Sequence, residues 1–415
     1  MIFALFAIGN AMGPFIGGAL VQSSSWRWVF YINLPIGGTS FILLYIFFNV
    51  KHKRTTFKES LGRFDWVGSF LVITATISVI FALTYAGARY PWSSWRVIVP
   101  LVLGLLGLVG FHSWEASPWV TDPLLPPHLF GNRTSAISFF ATFMQAFLFI
   151  WVVYFLPVYF QAVLGSSPTR SGVQLLPTVA ALIPFALVGA QFVEKTGRYK
   201  PVHFVGLALT SIGLGTFALL KARSSMGMWV GLQLLHIAGA GAITTALLPA
   251  IQAPLTDKDN ASSTAAASYV RSYGAIWGLT IPAAIFNNQF DQRLHWISDP
   301  VIRGAFSGGD AYSLGTKAFM TTLPEPVHSE VVSIFVASLR ITWIVAAAIA
   351  AGSTLLTLFE KEIELRKEMD NEYGLEDEKN EQPNSNTRKR NTSKKESASE
   401  TPLQSSTNSI PVPAV

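Results

Sequence analysis

The sequence GNAMGPFIGGAL, residues 9–20, is apolar enough for a membrane helix, yet it is rich in residues that disfavour helices. Glycine and proline, the two poorest helix formers, occupy five of the ten positions that start at Gly9. Gly9, Gly13 and Gly17 recur every fourth residue and therefore form one stripe along a helix. Such a stripe lets membrane helices approach closely, and Pro14 predicts a bend because its nitrogen cannot donate a hydrogen bond. The stretch thus predicts a helix that packs closely and changes its angle; a static packing face is the alternative.

The composition of the whole chain is that of a multi-pass membrane protein. Half of its 415 residues are hydrophobic and only 13% are charged, against roughly 25% charged residues in soluble domains. The basic residues lie between apolar segments and form no single surface, which argues against nucleic-acid binding. There is no cysteine, and the seven histidines show no metal-ligand spacing. The sequence contains no nucleophile–base pair or phosphate loop either, so we expect neither an enzyme nor a metal site.

Ten segments are long and apolar enough to cross the hydrocarbon core, which takes about 20 helical residues. These predicted spans are residues 1–22, 28–50, 65–86, 97–114, 135–160, 169–193, 202–221, 227–252, 260–288 and 335–359. We therefore expect an all-α, polytopic membrane protein with about ten transmembrane helices.

The loops and ends follow from charge and composition. Basic residues are concentrated in residues 51–64, and the positive-inside rule places this loop and both chain ends in the cytoplasm. Residues 289–333 are interpreted as a long outer loop without regular structure. The first part of 360–415 is compatible with a continuation of the last helix. The remainder has a composition that cannot bury a core and predicts a disordered cytoplasmic tail.

Four stretches resemble one family of membrane transporters, the fourteen-helix drug:proton antiporter branch of the major facilitator superfamily. Residues 9–18 resemble its antiporter motif, whose characteristic positions here are Gly9, Gly13, Pro14, Gly17 and Gly18. WRWVFYINLPIGG (26–38) resembles the sequence after that motif, and RFDWVG (63–68) the start of the helix pair inserted between the two six-helix halves. YFLPVYFQAVLGSSPTRSGVQLLP (154–177) resembles a helix hairpin of the fungal members.

The resemblance covers nearly all of residues 1–359 and implies helical bundles of the major facilitator type. It divides the chain into a remnant of the N-terminal bundle (1–50), a cytoplasmic loop (51–64), two linker helices (65–114) and a complete C-terminal six-helix bundle (135–359). The four helices that precede the antiporter motif in the branch have no counterpart in this sequence. Because alternating access needs two bundles around the site, we expect this chain not to carry out coupled transport alone.

The sequence AQFVEKTGRYK (190–200) resembles the C-terminal copy of the superfamily's cytoplasmic loop motif. Glu194, Lys195, Gly197 and Arg198 fill its acidic, basic, glycine and basic positions. An acid and bases at a helix junction can form a charge latch that stabilises one arrangement of the two halves. The alternative is that the bases only keep positive charge on the cytoplasmic side, with surface ion pairs worth about 0–1 kcal/mol.

Four polar residues inside predicted spans are candidates for lining a substrate cavity: Gln145, Gln233, His236 and Arg271. An arginine at the centre of a span costs about 2.5–3.5 kcal/mol to insert, so Arg271 should face protein or water. Its role is either transport or a structural clamp on backbone carbonyls. His236 either takes part in proton traffic or is a neutral, hydrogen-bonded residue.

Together these features predict a secondary active transporter that exports hydrophobic organic compounds (drugs, toxins or secondary metabolites) in exchange for protons. We expect no cofactor beyond the proton gradient. The expected partners are the lipid bilayer, the compound and protons, and the full-length protein is expected to be a monomer. The plasma membrane is the expected location and the vacuolar membrane the alternative. Two other functions stay open: a siderophore–iron transporter, and a non-transporting fragment or regulatory membrane protein.

Overall fold

The computed structural model of the protein is built almost entirely of helices. It describes residues 2–47, 62, 64–87, 89–120 and 122–365. Within these ranges the β structure is limited to an isolated bridge between Ala86 and Tyr90. The described parts of residues 1–40 and 56–369 belong to one compact unit, and residues 41–47 fall in a second. The predicted all-α fold class is confirmed.

Helices occur at all ten predicted spans, and three of the spans are each divided between two consecutive helices. In chain order the helices are α1 (Ile2–Ser23), α2 (Trp28–Tyr31), α3 (Asn33–Phe47), α4 (Trp66–Tyr85), α5 (Trp95–Glu115), α6 (Arg133–Val158), α7 (Pro168–Ala180), α8 (Leu182–Thr196), α9 (Lys200–Phe217), α10 (Met226–Thr244), α11 (Leu247–Gln252), α12 (Asn260–Asp291), α13 (Pro300–Ala305), α14 (Ala311–Leu314), α15 (Lys317–Met320) and α16 (Val327–Thr357). A π-helical turn, Tyr159–Val163, extends α6, and 3₁₀ turns lie at Pro127–Phe130, Asp257–Asp259 and Leu294–Trp296.

Seven helical segments among the described residues are long and apolar enough to cross a membrane. They are Trp28–Phe47, Trp66–Tyr85, Trp95–Glu115, Arg133–Val163, Pro168–Thr196, Met226–Gln252 and Val327–Thr357. The helices α1, α9 and α12 coincide with the other three predicted spans but are not among these seven. The multi-pass character is therefore confirmed, and a count of ten crossings stays a prediction.

The C-terminal bundle is held together by close contact between α6 and α12. Gly274 faces α6, and a Cβ atom there would collide with the carbonyl oxygen of Phe143. One turn further on, a Cβ atom on Gly278 would collide with the carbonyl oxygen of Phe147. Beside this contact lies a large aromatic core that includes the fully buried Trp151. Two glycines four residues apart thus bring the two backbones together, as in other membrane helix pairs.

The predicted linker helices form a hairpin, α4 and α5, that packs against α12. Gly104 of α5 lies so close to α4 that a Cβ atom on it would come 2.8 Å from the carbonyl oxygen of Ala75. On the other side of α4, the Thr76 hydroxyl lies 3.4 Å from the Tyr273 hydroxyl of α12. The hairpin is therefore attached to the C-terminal bundle.

The prediction that residues 289–333 lack regular structure is wrong. α12 continues to Asp291, and the short helices α13, α14 and α15 follow before α16 begins at Val327. The carboxylate of Asp299 caps α13 by accepting hydrogen bonds from two amides of its first turn, and the ring of Phe306 is buried in the core. Helices this short depend on caps and tertiary contacts, so the hydropathy pattern did not indicate them.

The last long helix ends at Thr357, and the next residues are not helical. Residues 358–365, here named the docked segment, pack against the beginnings of α6 and α9. This segment does not continue the last helix. The prediction of a disordered tail is wrong for residues 360–365. The rest of the predicted tail, 366–415, and most of the predicted loop 51–64 lie outside the described residues.

Candidate functional site

The antiporter motif touches the rest of the protein through its last glycine. A Cβ atom on Gly18 would come 2.7 Å from the carbonyl oxygen of Pro168 and 3.1 Å from the Cα atom of Thr169. Both contacts belong to the first turn of α7, whose amide end is capped by Ser167. Any larger residue at Gly18 would push α1 and α7 apart. The motif helix α1 and the segment 169–193 are thus in contact at Thr169.

The stripe of Gly9, Gly13 and Gly17 is not the face that makes this contact. A Cβ atom on any of the three would meet no atom within 4 Å among the described residues. The stripe faces open space in this arrangement, and its role as a tight packing surface stays a prediction. The backbone is helical through Pro14, and a bend at that position also stays a prediction.

A wide cavity lies where α1, the end of α6, the start of α7 and the loop before α16 meet. Its volume is about 1010 Å³. The lining residues that matter for recognition are Gly17, Gln22, Tyr154, Gln161, Tyr312 and Lys317. Most of the remaining wall is apolar. Burial, and to a lesser extent Tyr154, raises the pKa of Tyr312 to about 12, so its hydroxyl stays protonated at physiological pH.

Gln233 does not line this cavity. Its side chain is fully buried, and its Oε1 accepts a 2.8 Å hydrogen bond from the hydroxyl of Thr178. Its Nε2 donates to the carbonyl oxygens of Gln174 and Trp229, both at 3.1 Å. With both ends of the amide bonded, Gln233 joins α10 to α7 and has no free group for a substrate.

His236 is also fully buried, away from the cavity. Both ring nitrogens lack a hydrogen-bond partner, the ring of Phe217 lies 5.9 Å away, and the backbone of Thr210 is the polar group that it faces. Gly213 makes room for it, because a Cβ atom on that glycine would collide with the His236 backbone. A neutral ring bonded to the backbone of Thr210 and a role in proton traffic both stay predictions.

Gln145 and Arg271 differ sharply in their partners. Gln145 is 8% exposed, and its Nε2 donates a 3.1 Å hydrogen bond to the hydroxyl of Thr244, which connects α6 to α10. Arg271 is half-buried, and among the described residues no hydrogen bond or ion pair involves its guanidinium. A clamp on backbone carbonyls, one of the two expected roles, is thus not seen. Arg271, in the predicted span 260–288, is therefore without a partner among the described residues.

The charge latch predicted at residues 194–198 is not formed among its own members. Glu194 and Lys195 are exposed, and no ion pair between described residues includes either of them. Gly197 takes a left-handed conformation, φ +67°, and ends α8. Arg198 lies 4.0 Å from a carboxylate oxygen of Glu362. The loop therefore pairs with the docked segment rather than with itself.

The docked segment centres on a buried carboxylate that the sequence did not indicate as functional. Glu360 is 1% exposed and its oxygens lie 3.0 and 3.1 Å from Nδ1 of His203. The hydroxyl of Ser138 donates a 2.8 Å hydrogen bond to the same carboxylate. Glu360, three residues after the end of α16, thus contacts both α6 and α9.

Backbone hydrogen bonds fix the segment on both sides of Glu360. The ammonium group of Lys200 donates to the carbonyl oxygens of Leu358 and Glu360, and the Thr134 hydroxyl donates to that of Lys361 at 2.8 Å. The phenol oxygen of Tyr199 accepts from the amide of Ile363 at 2.8 Å. Burial raises the pKa of Tyr199 to about 12.

A multi-pass bundle of apolar helices and a wide cavity lined by α1, α6, α7 and the loop before α16 are typical of a membrane transport protein. The chain belongs to the Major Facilitator Superfamily, whose family model matches residues 1–279. Members of this family are transporters and not enzymes, so the predicted class of protein is confirmed.

Two curated fungal relatives are similar over most of the chain. The MFS-type transporter gkaD of Penicillium citrinum is 48% identical over 93% of this chain and 66% of its own length. The MFS-type efflux transporter ffsH of Aspergillus flavipes is 45% identical over 91% of this chain and 67% of its own length. The chain thus spans about two thirds of the length of these relatives. Among solved structures, an inward-facing, occupied bacterial homologue of the human lysosomal transporter Spinster is 14% identical, with a TM-score of 0.44 over 86% of this chain and 81% of that one.

Proposed function

We propose that this protein exports hydrophobic organic compounds, drugs or secondary metabolites, in exchange for protons. The observation that carries the proposal is the cavity of about 1010 Å³ at the contact between α1 and α7. The cavity wall is mainly apolar by area but also presents hydroxyl, amide and ammonium groups, a mixture that suits bulky, amphipathic molecules. The names of relatives such as the efflux transporter ffsH support the export direction.

The motion would occur where α1 meets α7. The backbones of α1 and α7 are in close contact at Gly18. A small change in the angle of α1 therefore alters the width of the cavity beside it. Binding of the compound and of protons would shift the balance between inward-facing and outward-facing states. Arg271 does not line this cavity, and its role in transport stays a proposal.

We further propose the plasma membrane as the location, with the vacuolar membrane as the alternative, and a monomer as the working form. The proton gradient would be the only energy source, without a cofactor.

Efflux of a fluorescent hydrophobic dye from a pump-deficient yeast tests the export proposal. In a full-length context we expect the protein to lower retained dye, and a protonophore to abolish the effect. Tyr154→Ala, in the cavity wall, should reduce efflux, whereas Phe204→Ala, an exposed aromatic of α9, should not. Retention equal to that of the empty strain across a panel of dyes, with the protein inserted at normal levels, would overturn the proposal.

A further inference from the structure

The hairpin of α4 and α5 contains two carboxyl groups at its open end, where α4 begins and α5 finishes. Asp65 is the N-cap of α4, and its Oδ1 accepts a 2.9 Å hydrogen bond from the amide of Gly68. The same oxygen accepts a 3.0 Å hydrogen bond from the indole Nε1 of Trp114, on α5. This side chain therefore holds the two helices together through one of its two oxygens.

Glu115, the last residue of α5, is placed in a similar way. It is 4% exposed, and its Oε2 accepts a 2.9 Å hydrogen bond from the amide of Leu125. Leu125 lies in the connection to α6, so Glu115 links the hairpin to the C-terminal bundle through one oxygen.

The second oxygens of the two carboxyl groups have no partner, although they face each other. Oδ2 of Asp65 and Oε1 of Glu115 are both buried without a hydrogen bond. Both crowd the position of a Cβ atom on Gly68: Oδ2 would collide with it, and Oε1 would lie 3.0 Å away. The two side chains are close enough to interact directly. The glycine of the RFDWVG motif is therefore the residue that leaves room for the pair.

Physical chemistry limits how such a pair can exist. A buried acceptor without a donor costs about 1–3 kcal/mol, and two carboxylates in contact repel each other. Among the described residues no lysine, arginine or histidine pairs with either group, and no cluster of three metal-ligating side chains occurs. One proton on either carboxyl group removes the second negative charge and supplies the missing donor to the other. Carboxyl pairs that share a proton in this way are known in enzyme sites.

We propose that Asp65 and Glu115 form a proton-binding site on the linker hairpin, in which one proton is shared between Oδ2 and Oε1. Loss of the proton to water leaves two facing carboxylates and forces the ends of α4 and α5 apart, so the hairpin responds to pH. The other titratable groups around the pair are His112, one turn earlier on α5, and Tyr269 of α12, which interacts electrostatically with Glu115. The site stands independently of any transported compound.

Infrared spectroscopy of the purified full-length chain tests this site directly, without a transport assay. We expect a carbonyl band of a buried protonated carboxyl group that shifts in heavy water and disappears as the pH is raised. Glu115→Gln and Asp65→Asn, whose amides keep a donor between the helices, should each remove the band. Glu194→Gln, which alters an exposed acid, is the matched control and should keep it.

Two results would overturn the proposal: a wild-type protein without such a band over the pH range in which it stays folded, or a band that survives in both amide variants. If one variant fails to fold, the other variant and the wild-type titration still decide. A second readout is the distance between spin labels at Phe64→Cys and Trp119→Cys, which are specific because the natural chain has no cysteine. This distance should increase with pH in the otherwise unchanged chain and stay constant with Glu115→Gln.

Discussion

His203 and Glu360 lie in contact inside the protein, with Nδ1 3.0 Å from Oε2, although they are 157 residues apart in the sequence. Neither side chain is exposed. Because Ser138 binds the same carboxylate, the pair joins the beginnings of α6 and α9 to the residues that follow α16. One end of the C-terminal bundle is thereby closed by the docked segment.

Removal of the Glu360 carboxylate should strongly destabilise the protein. Glu360→Ala leaves His203 and Ser138 buried without their partner, and loss of one member of a buried pair costs about 3–5 kcal/mol. The free energy of unfolding in detergent, measured by denaturant titration, checks this. Glu362→Ala, which removes only a 4.0 Å surface contact with Arg198, is the control and should cost about 0–1 kcal/mol. Equal effects of the two changes would contradict the buried tie.

The glycines of α1 should differ in their tolerance of a side chain. Gly18→Val would drive α1 from the first turn of α7, so we expect lower dye export at a normal membrane level. Gly13→Val meets open space in this arrangement and should export nearly normally. Export that fails with Gly13→Val but not with Gly18→Val would show that the stripe, and not the Gly18 contact, controls the motion.

The α6–α12 contact should not accept a side chain at Gly274. Gly274→Leu places new atoms against the carbonyl oxygen of Phe143, and overpacking costs about 1–3 kcal/mol or more. The melting temperature in detergent should therefore fall. Gly352→Leu in α16, where a Cβ atom meets nothing within 4 Å, is the matched control and should melt like the wild type.

Variants of Gln233 and Arg271 should distinguish a loss of stability from a loss of transport. Gln233→Leu leaves the Thr178 hydroxyl without its acceptor, which costs about 1–3 kcal/mol, so melting should fall together with activity. Arg271→Gln breaks no hydrogen bond among the described residues, so dye export should change while melting does not. Parallel melting curves and export assays on the two variants check this contrast, and the reverse pattern would exclude Arg271 from transport.

Acid should loosen the turn before α12. The hydroxyl of Thr256, with His128 in addition, holds the pKa of Asp259 below its usual 3.8 and outweighs partial burial. A depressed pKa means that this stabilisation is present above pH 3.8 and is lost as the pH falls through the folded-state value. Asp259→Asn should therefore melt slightly lower than the wild type near neutral pH, and the difference should vanish once the pH falls below the folded-state pKa of Asp259. A difference that persists in strong acid would show that charge is not the cause.

Local pattern was sufficient to predict the helices, because each span carries its own apolar length. It could not predict that Gly18, outside the stripe, makes the contact with α7, since that depends on how far α1 is rotated about its axis. For the same reason, the sequence does not show whether a polar residue inside a span lines a cavity or binds a neighbouring helix. Gln233 was expected to line the cavity but joins α10 to α7.

The docked segment could not be predicted because its binding partners are distant in sequence. Its composition is that of a solvated tail, and Glu360 differs from the other acids of the region only by position. The facing carboxyl groups of Asp65 and Glu115 could not be predicted either. The RFDWVG motif indicates the linker helices, but it does not show which side chain lies opposite Asp65.

The distance along the chain between His203 and Glu360 also determines when the pair can form. During synthesis at about 5–20 residues per second, the ribosome needs on the order of ten to thirty seconds to add the 157 residues that separate them. Throughout that interval α9 has been made but its imidazole has no carboxylate to bind. The buried pair can therefore form only after α16 has been synthesised, and it is a late contact of the nascent protein.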